Sequence, residues 1–274
     1  MSDHCSWLLN NGCNGLVIWG TTGEANSFSL DEKKEALSFL VEKGMPKEQL
    51  LIGAGLCSFT DTVSLSKFAL ELGINNLLLL PPFFYKNISD DGLYNFFCRV
   101  IKELADTNCR IYLYHIPPVS QIGFSFSLLE RLIKDFPETV VGIKDSSGDW
   151  GHMQQLIKKN PGFKVFAGTE TYLLDILKMG GPGCISASVN ITAQLAGEIY
   201  NNWKDEKISQ KMNELIEIRK TIEAYPVIPA LKSIMAKISG REEWKNVRPP
   251  LVSLDNKNTE KLLIELSKFR NFKI

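Results

Sequence analysis

Three short stretches of the chain contain residue types that together can do carbonyl chemistry. "VVGIKD" carries Lys144 near its end, "RIYLYH" carries Tyr114, and "GTTGE" offers the hydroxyls of Thr21 and Thr22. Burial lowers the pKa of a lysine ammonium, so a lysine in a dry cavity can present the neutral amine that attacks a ketone. A tyrosine hydroxyl can move protons, and a glycine-rich turn with hydroxyls can bind a small carboxylate. The three stretches together predict a Schiff-base enzyme.

Each stretch also has a purely structural interpretation. A lone lysine commonly ends a strand and reaches solvent, a tyrosine there is commonly a core residue, and "GTTGE" could simply be a turn before a helix. Strand alternation bears on the lysine, because Gly142 and Lys144 share one face while Asp145 points to the other. In a closed barrel Lys144 therefore faces the lumen, with Gly142 leaving room for its stem, and Asp145 has a separate role outside.

The spacing of apolar residues along the sequence predicts the strands and helices that must position these side chains. Short apolar runs of strand length alternate with longer amphipathic segments, in the first of which Ser29 predicts a helix N-cap and Gly44 a helix stop. Repeated strand-then-helix order predicts a parallel sheet, either open and doubly wound or closed as a barrel. The seven apolar runs span residues 15–20, 50–55, 75–82, 110–115, 140–145, 163–168 and 183–188.

The barrel is favoured because polar motifs follow the strands, where the active site of a (β/α)₈ barrel collects. No GxGxxG or P-loop follows the first run, which weakens the dinucleotide and nucleotide interpretations. The predicted α/β fold class is therefore a TIM (β/α)₈ barrel over residues 1–203. Residues 204–274 are predicted to form a C-terminal three-helix extension of the same domain, with helices at 206–223, 226–239 and 257–271.

Composition excludes several other classes of function. Lys plus Arg equals Asp plus Glu at 31 each, without a basic tract, which argues against nucleic-acid binding. No run approaches the roughly 20 apolar residues of a membrane helix, and the first residues do not resemble a signal peptide. The six cysteines and three histidines are scattered without ligand spacing, so we expect no metal site, reduced thiols and a cytoplasmic protein.

Six motifs recur in a fixed order over nearly the whole length of the chain. They are "GTTGE" at 20–24, "YHIP" at 114–117, "GIKDSSGD" at 142–149, "AGTE" at 167–170, "GGPGCIS" at 180–186 and "RPPL" at 248–251. With these motifs the chain resembles the dihydrodipicolinate synthase and N-acetylneuraminate lyase family of class I, pyruvate-dependent aldolases. The resemblance implies Lys144 as the Schiff-base lysine and Tyr114 as the proton-shuttling tyrosine, with no cofactor beyond the covalent Schiff base.

The same resemblance implies roles for further residues. Thr21 and Thr22 resemble the pair that binds the pyruvate carboxylate, with the Thr22 hydroxyl also joining the proton relay. Ile185 is similar to the residue whose backbone lines the pyruvate pocket. Tyr85 resembles a tyrosine that inserts into the neighbouring subunit's site, within a homotetramer built from dimers. A purely structural aromatic is the alternative for Tyr85.

One departure from the family pattern bears on the substrate. Synthases that use aspartate semialdehyde carry an arginine soon after the strand-end tyrosine, but no Arg or Lys occurs between Tyr114 and Arg131. The motifs resemble the lyase and sugar-acid aldolase branches more closely, where Ser146 and Glu170 would contact substrate hydroxyls. Glu170 could equally lie at the positive end of a helix dipole, and Ser147 could contact substrate or cap a helix.

A second departure is that family members normally begin with one more strand. The barrel is therefore expected to lack its first strand, which leaves an open sheet edge. The predicted function is a lyase or aldolase that makes or cleaves a C–C bond next to a pyruvate-derived enamine on Lys144, acting on a 2-oxo acid or sugar acid. The alternatives are a 2-oxo sugar acid dehydratase or hydratase, 4-hydroxy-tetrahydrodipicolinate synthase proper, and a non-catalytic protein that binds 2-oxo acids.

Overall fold

The sheet is a curled, parallel arrangement of six strands that pair in chain order. The computed structural model describes residues 1–105 and 108–272. Each strand is followed by helical segments that pack on the outside, as repeated strand-helix order predicts. The strands are β1 (Leu16–Ile18), β2 (Leu50–Gly53), β3 (Asn76–Leu79), β4 (Arg110–His115), β5 (Val140–Asp145) and β6 (Lys164–Ala167).

Helices surround the sheet and form the C-terminal part of the described chain. In chain order the α-helices are α1 (Ser2–Asn10), α2 (Leu30–Glu42), α3 (Phe59–Glu71), α4 (Asp90–Leu104), α5 (Pro117–Ser120), α6 (Phe126–Asp135), α7 (Trp150–Lys159), α8 (Leu173–Lys178), α9 (Val189–Asn201), α10 (Ile208–Glu223), α11 (Val227–Ser239) and α12 (Asn256–Leu266). The last three confirm the helices predicted in the C-terminal extension. Across the described residues, no helix is both long and apolar enough to cross a membrane.

The seventh predicted strand, at 183–188, is reduced to one bridge between Ala167 and Cys184. The Ala167 N–H donates to the Gly183 carbonyl at 3.1 Å, and the Ile185 N–H donates to the Ala167 carbonyl at 2.9 Å. Pro182 has no N–H to donate, and Gly183 has a φ of +125°, so an extended ladder cannot begin there. Within the described residues, β1 pairs with β2 alone, which leaves the curled sheet open on that side.

Local sequence signals explain where α2 begins and ends. Ser29 accepts a hydrogen bond from the backbone N–H of Glu32, whose carboxylate accepts one from the Ser29 N–H, forming a capping box. Gly44 follows with a φ of +76°, a left-handed conformation that costs glycine little. Both sequence predictions for this helix are confirmed.

Two hydrophobic cores hold the fold together. The larger lies between the sheet and the helices around it, and the smaller joins α8 and α9 to the C-terminal helices. The second core begins at Leu173, ahead of the boundary predicted at residue 204. The division into 1–203 and 204–274 stays a prediction, and residues 273–274 lie outside the described part of the chain.

Gly142 has a different purpose from the one predicted. A Cβ at this position would lie 2.6 Å from the Lys164 carbonyl oxygen and 2.7 Å from the Tyr112 ring. The glycine therefore admits the close approach of β6 and of the aromatic ring, a purpose that the sequence prediction did not include.

We expect Gly142→Ala to lower the free energy of unfolding by about 1–3 kcal/mol, because the Lys164 carbonyl is backbone and cannot rotate away. Urea denaturation measures the change. Gly92→Ala is the matched control. Gly92 is exposed on α4, and a Cβ there would meet only the side chains of Ile88 and Ser89. Equal unfolding midpoints for the two variants would contradict this account of β5.

Candidate active site

The pairing of β4 with β5 brings the predicted lysine and tyrosine together. Tyr114 lies directly opposite Lys144 in the parallel register. The Lys144 Nζ is 3.3 Å from the Tyr114 hydroxyl oxygen and 4.4 Å from the centre of its ring. Lys144 is 9% exposed and Tyr114 is 5% exposed, so both groups are shielded from bulk water. The amine and the hydroxyl thus lie within hydrogen-bond distance of each other in a buried environment.

The turn after β1 adds a hydroxyl to this pair. The Thr21 Oγ1 lies 3.2 Å from the Tyr114 hydroxyl oxygen. The prediction gave the relay role to Thr22, whereas the hydroxyl in contact with Tyr114 is that of Thr21. Thr21 is exposed while Tyr114 is buried, so the contact connects the buried pair with solvent.

The turn itself is fixed from the C-terminal helices. Glu24, the last residue of "GTTGE", has a φ of +57° and is buried. Its carboxylate accepts a hydrogen bond from the backbone N–H of Arg248 at 2.7 Å and forms an ion pair with Lys232 of α11. Sequence reasoning did not assign these partners, because more than 200 residues separate Glu24 from either of them.

Other predicted substrate contacts surround a cavity of about 940 Å³, whose lining includes Lys144, Thr21, Thr22, Ile185 and Ser186. The bridge to β6 fixes the Ile185 backbone at its wall. The predicted contact residue Ser146 follows β5, and its N–H donates to the His115 carbonyl at 2.7 Å. A Cβ on Gly168 would lie 2.0 Å from the Ser146 Oγ, so only glycine leaves room for this hydroxyl.

Glu170 is placed differently from a substrate contact. Its side chain is 0% exposed, and its carboxylate accepts hydrogen bonds from the Ser186 and Ser188 hydroxyls. Arg219 of α10 donates to the same carboxylate at 2.7 Å and to Glu223 at 2.6 Å. A buried charge needs such pairing. Glu170 therefore joins the end of β6 to α10. It also begins the helical turn that precedes α8, as the helix-dipole alternative predicts, while its carboxylate is occupied by the two serines and Arg219.

Tyr85 lies away from the Lys144 site of its own chain. Its side chain is 73% exposed, with the Phe84 ring 5.3 Å away in an edge-to-face arrangement. Lys86 fixes the loop by donating to the carbonyls of Phe83 and Ser120. The tyrosine is thus held outward on an ordered loop.

A buried polar cluster lies on the outer face, directly behind the lysine and the tyrosine. Both Asp145 carboxylate oxygens are engaged: Oδ1 accepts from the Ser147 N–H and hydroxyl, and Oδ2 lies 2.6 Å from the His152 Nδ1. Burial alone would raise the pKa of Asp145, but hydrogen bonds from His152 and Ser147 outweigh it and lower the pKa. Ser147 therefore serves Asp145, and the cap of α7 is Asp149.

His115 completes this cluster as a neutral ring. Its Nδ1 accepts the Phe124 N–H at 3.0 Å, which puts the ring hydrogen on Nε2. Burial lowers the pKa of His115 to about 4, opposed by Asp145 and assisted by His152. The sequence offered no local signal for the group, because alternation separates Asp145 from the lumen and His152 lies on the next helix.

His115, Asp145 and His152 also have the residue types of a metal site, with ligand atoms within 4.8 Å of one another. The two imidazole rings are stacked 4.8 Å apart with planes only 16° from parallel. An imidazole lone pair lies in its ring plane, so two stacked rings cannot both point to one ion. The cluster fits a hydrogen-bonded buried pair and does not fit a metal centre.

The fold and the site define a class of protein: an α/β barrel with a buried lysine and tyrosine paired at the carboxyl ends of adjacent parallel strands. A sequence profile of the Dihydrodipicolinate synthetase family matches residues 1–268, and the chain belongs to this family. The members are carbon–carbon lyases, and the chain is an enzyme of that class.

Individual relatives agree with this assignment. The chain is 29% identical over 258 residues to an uncharacterized DapA-like lyase of Chloroflexus aurantiacus, covering 93% of this chain and 85% of that one. Dihydrodipicolinate synthase from Agrobacterium tumefaciens superposes with a TM-score of 0.91 at 31% identity, over 98% of this chain and 92% of that chain. YagE, an E. coli K12 prophage protein solved with pyruvate, shares the fold with a TM-score of 0.89 at 24% identity, over 98% and 91% of the chains.

The neutral His115 ring predicts a specific pH dependence of stability. In the unfolded chain this histidine takes up a proton near pH 6.5, but in the folded chain only near pH 4. The unfolded chain therefore binds more protons between these values, so the free energy of unfolding falls as the pH is lowered through the window. Above about pH 6.5 the contribution of the neutral ring is fully present.

We expect His115→Asn to have a flatter stability profile between about pH 6.5 and pH 4. The asparagine Oδ1 can replace Nδ1 as acceptor for Phe124 but does not titrate in this range. Chemical denaturation at a series of pH values measures the difference. Parallel profiles for the variant and the wild type would show that His115 does not supply the proton uptake.

Proposed function

We propose that the enzyme makes or cleaves a C–C bond through a Schiff base between Lys144 and pyruvate or another 2-oxo acid. The observation that carries this proposal is the buried contact between the Lys144 amine and the Tyr114 hydroxyl at 3.3 Å. Within residues 1–105 and 108–272, no carboxylate forms an ion pair with the Lys144 amine, and a buried lysine of this kind has no evident role in stability, because burying a charge is costly. Nucleophilic catalysis accounts for its position.

The Lys144 amine attacks the carbonyl carbon and forms a carbinolamine. Tyr114 supplies the proton with which the hydroxyl leaves as water, and the nitrogen becomes an iminium. In the cleavage direction Tyr114 then accepts the proton of the hydroxyl two carbons from the iminium. The C–C bond electrons form the enamine, and an aldehyde leaves. Tyr114 then returns its proton to the enamine carbon, which regenerates an iminium, and hydrolysis of this iminium releases pyruvate and the free amine. Thr21 passes protons between Tyr114 and solvent.

The iminium is itself the electron sink, so the proposed reaction needs no separate cofactor. The carboxylate of the 2-oxo acid would be bound by the "GTTGE" turn, with Thr22 and the Ile185 backbone at the cavity wall. The pyruvate complex of YagE supports pyruvate as a ligand for this fold. Five of the cysteines, Cys5, Cys13, Cys57, Cys98 and Cys184, are free thiols, which supports a reducing compartment such as the cytoplasm.

The charges around the site favour a hydroxylated partner over a second carboxylate. Residues 115–130 contain no Arg or Lys. Arg219 is paired with Glu170, and Lys232 with Glu24, so these cations are already neutralised. Lys164 also lines the cavity, but it begins β6 opposite Gly142, on the side away from the strand ends. Ser186 lines the cavity, and its hydroxyl, which already donates to Glu170 and accepts from Arg219, can still accept one hydrogen bond from a hydroxyl of the substrate chain. A sugar acid is therefore the proposed substrate class, in preference to the semialdehyde of a dihydrodipicolinate synthase.

We expect Tyr114→Phe to lower kcat by about 10²–10⁴-fold in a pyruvate-release assay with 2-oxo sugar acids. Thr21→Val should mainly lower kcat, because its hydroxyl contacts Tyr114, whereas Thr22→Val should mainly raise KM. The Lys144→Arg variant provides the inactive control. If Thr22→Val lowered kcat more than Thr21→Val did, the relay would run through Thr22 as the sequence first predicted.

Product analysis on the same panel separates the proposed function from its alternatives. Release of pyruvate supports the lyase. Loss of water without pyruvate release would make the enzyme a dehydratase acting through the same iminium. A thermal shift with 2-oxo acids that is never accompanied by turnover would contradict catalysis and support a binding protein.

We further propose a homotetramer built from dimers, in which Tyr85 completes the site of a neighbouring subunit. The support is an exposed apolar surface formed by Phe84, Tyr85 and Val119, which are 66–73% exposed in the single chain. Lys86 connects the two segments that carry them by bonding the Ser120 carbonyl. Exposed apolar patches of this kind mark interaction surfaces.

A mixing experiment tests the shared site. Lys144→Ala and Tyr85→Phe subunits should each be nearly inactive alone, and hybrids formed from both should regain part of the activity. The gain arises because the Tyr85→Phe subunit keeps Lys144 and receives an intact Tyr85 from its partner. Hybrids confirmed by native mass spectrometry that stay inactive would contradict the sharing, and sedimentation velocity reports the assembly state.

A further inference from the structure

The last paired residues of β4 and β5 carry chemistry on both faces of the sheet. Tyr114 and Lys144 are paired on the lumen face, and the next pair, His115 with Asp145, points to the outer helices. Any movement of the outer pair is therefore transmitted to the inner pair through a single peptide link in each strand. The inner pair needs precise placement, because its two functional atoms are only 3.3 Å apart.

The end of β5 is held by Asp145 in several directions at once. The fully buried carboxylate binds Ser147 in the following turn and His152 on α7. Its carbonyl accepts the Gly168 N–H at 2.6 Å, which ties β5 to the turn after β6. The carboxylate can only accept, so the His152 Nδ1 carries the hydrogen of the 2.6 Å bond.

The end of β4 is held by His115 in a similar way. The ring accepts the Phe124 N–H and stacks on His152 at 4.8 Å. A Cβ on Gly123 would approach the ring to 2.5 Å, so the 121–124 loop closes tightly over it. His152 thus contacts the outer residues of both strands, one by a hydrogen bond and the other by stacking.

We propose that Asp145 and His152 are positioning residues, whose buried bond holds the ends of β4 and β5 so that Tyr114 stays against Lys144. Only the expected effect on turnover rests on the proposed function. The placement of the Lys144 amine is a property of the free enzyme and can be measured without substrate.

Amines are labelled competitively with acetic anhydride at a series of pH values, and peptide mass spectrometry measures how fast each lysine reacts. The pH series gives the limiting rate constant with which the unprotonated Lys144 amine is acetylated. Lys261, exposed on α12, is the internal reference. His152→Leu leaves the Asp145 oxygen without its donor, and we expect Lys144 to be labelled several-fold faster relative to Lys261. His152→Asn, whose amide can donate in place of Nδ1, should restore the wild-type rate.

Turnover provides the second measurement. His152→Leu should lower kcat on the order of ten- to a hundredfold with little change in KM, since misplacement of reacting groups acts on the chemical step. Leu262→Ala, in the distant second core, is the control for loss of stability and should lower Tm without changing kcat or Lys144 labelling.

Unchanged Lys144 labelling in His152→Leu, or an equal change in Leu262→Ala, would overturn the positioning role. Absence of turnover in the wild type would count against the proposed function alone, because the labelling comparison still decides the positioning inference. Recovery in His152→Asn separates loss of the hydrogen bond from a general loss of packing.

Discussion

The parallel register between β4 and β5 is the constraint on which the rest of the site depends. It sets Tyr114 opposite Lys144, so two adjacent strands bring a tyrosine hydroxyl and a lysine amine to one point in the lumen. Alternation then places His115 and Asp145 on the other face, where polar groups can be buried only if they are paired. A single register thus generates both the reactive contact and the hydrogen-bonded cluster behind it.

Pairing of charges is the second organising feature. Glu24 and Glu170 are buried acids next to the ends of β1 and β6, and each is bonded to a cation on a C-terminal helix. Removing either cation would leave a buried carboxylate uncompensated, which typically costs several kcal/mol. The C-terminal helices therefore do more than cover the barrel: they fix the turn that carries Thr21 and the segment that carries Ile185.

The sequence predicted the features that depend on local pattern. Strand alternation predicts Lys144 on the lumen face, the end of a separate apolar run predicts Tyr114 at another strand end of the same barrel, and capping rules locate α2. Contacts between distant segments had no such signal, which is why the Arg219 partner of Glu170 and the His152 partner of Asp145 were not foreseen. The apolar residues of 183–188 predict a seventh strand, but the preceding "GGPG" has a backbone that cannot begin an extended β-ladder. The sequence predicts the relay hydroxyl at Thr22, whereas Thr21 contacts Tyr114. Which of two adjacent threonines makes the contact depends on the direction of each side chain in three dimensions, which the sequence does not encode locally.

The central claim is that the Lys144 amine forms the covalent bond with the substrate. Incubation with pyruvate and borohydride, followed by peptide mass spectrometry, tests it most directly, because reduction converts the iminium to a stable N-carboxyethyl lysine. The account predicts this modification on the peptide that contains Lys144, and its loss in a Lys144→Arg variant. An unmodified Lys144 peptide under saturating pyruvate, or modification confined to other lysines, would contradict the account.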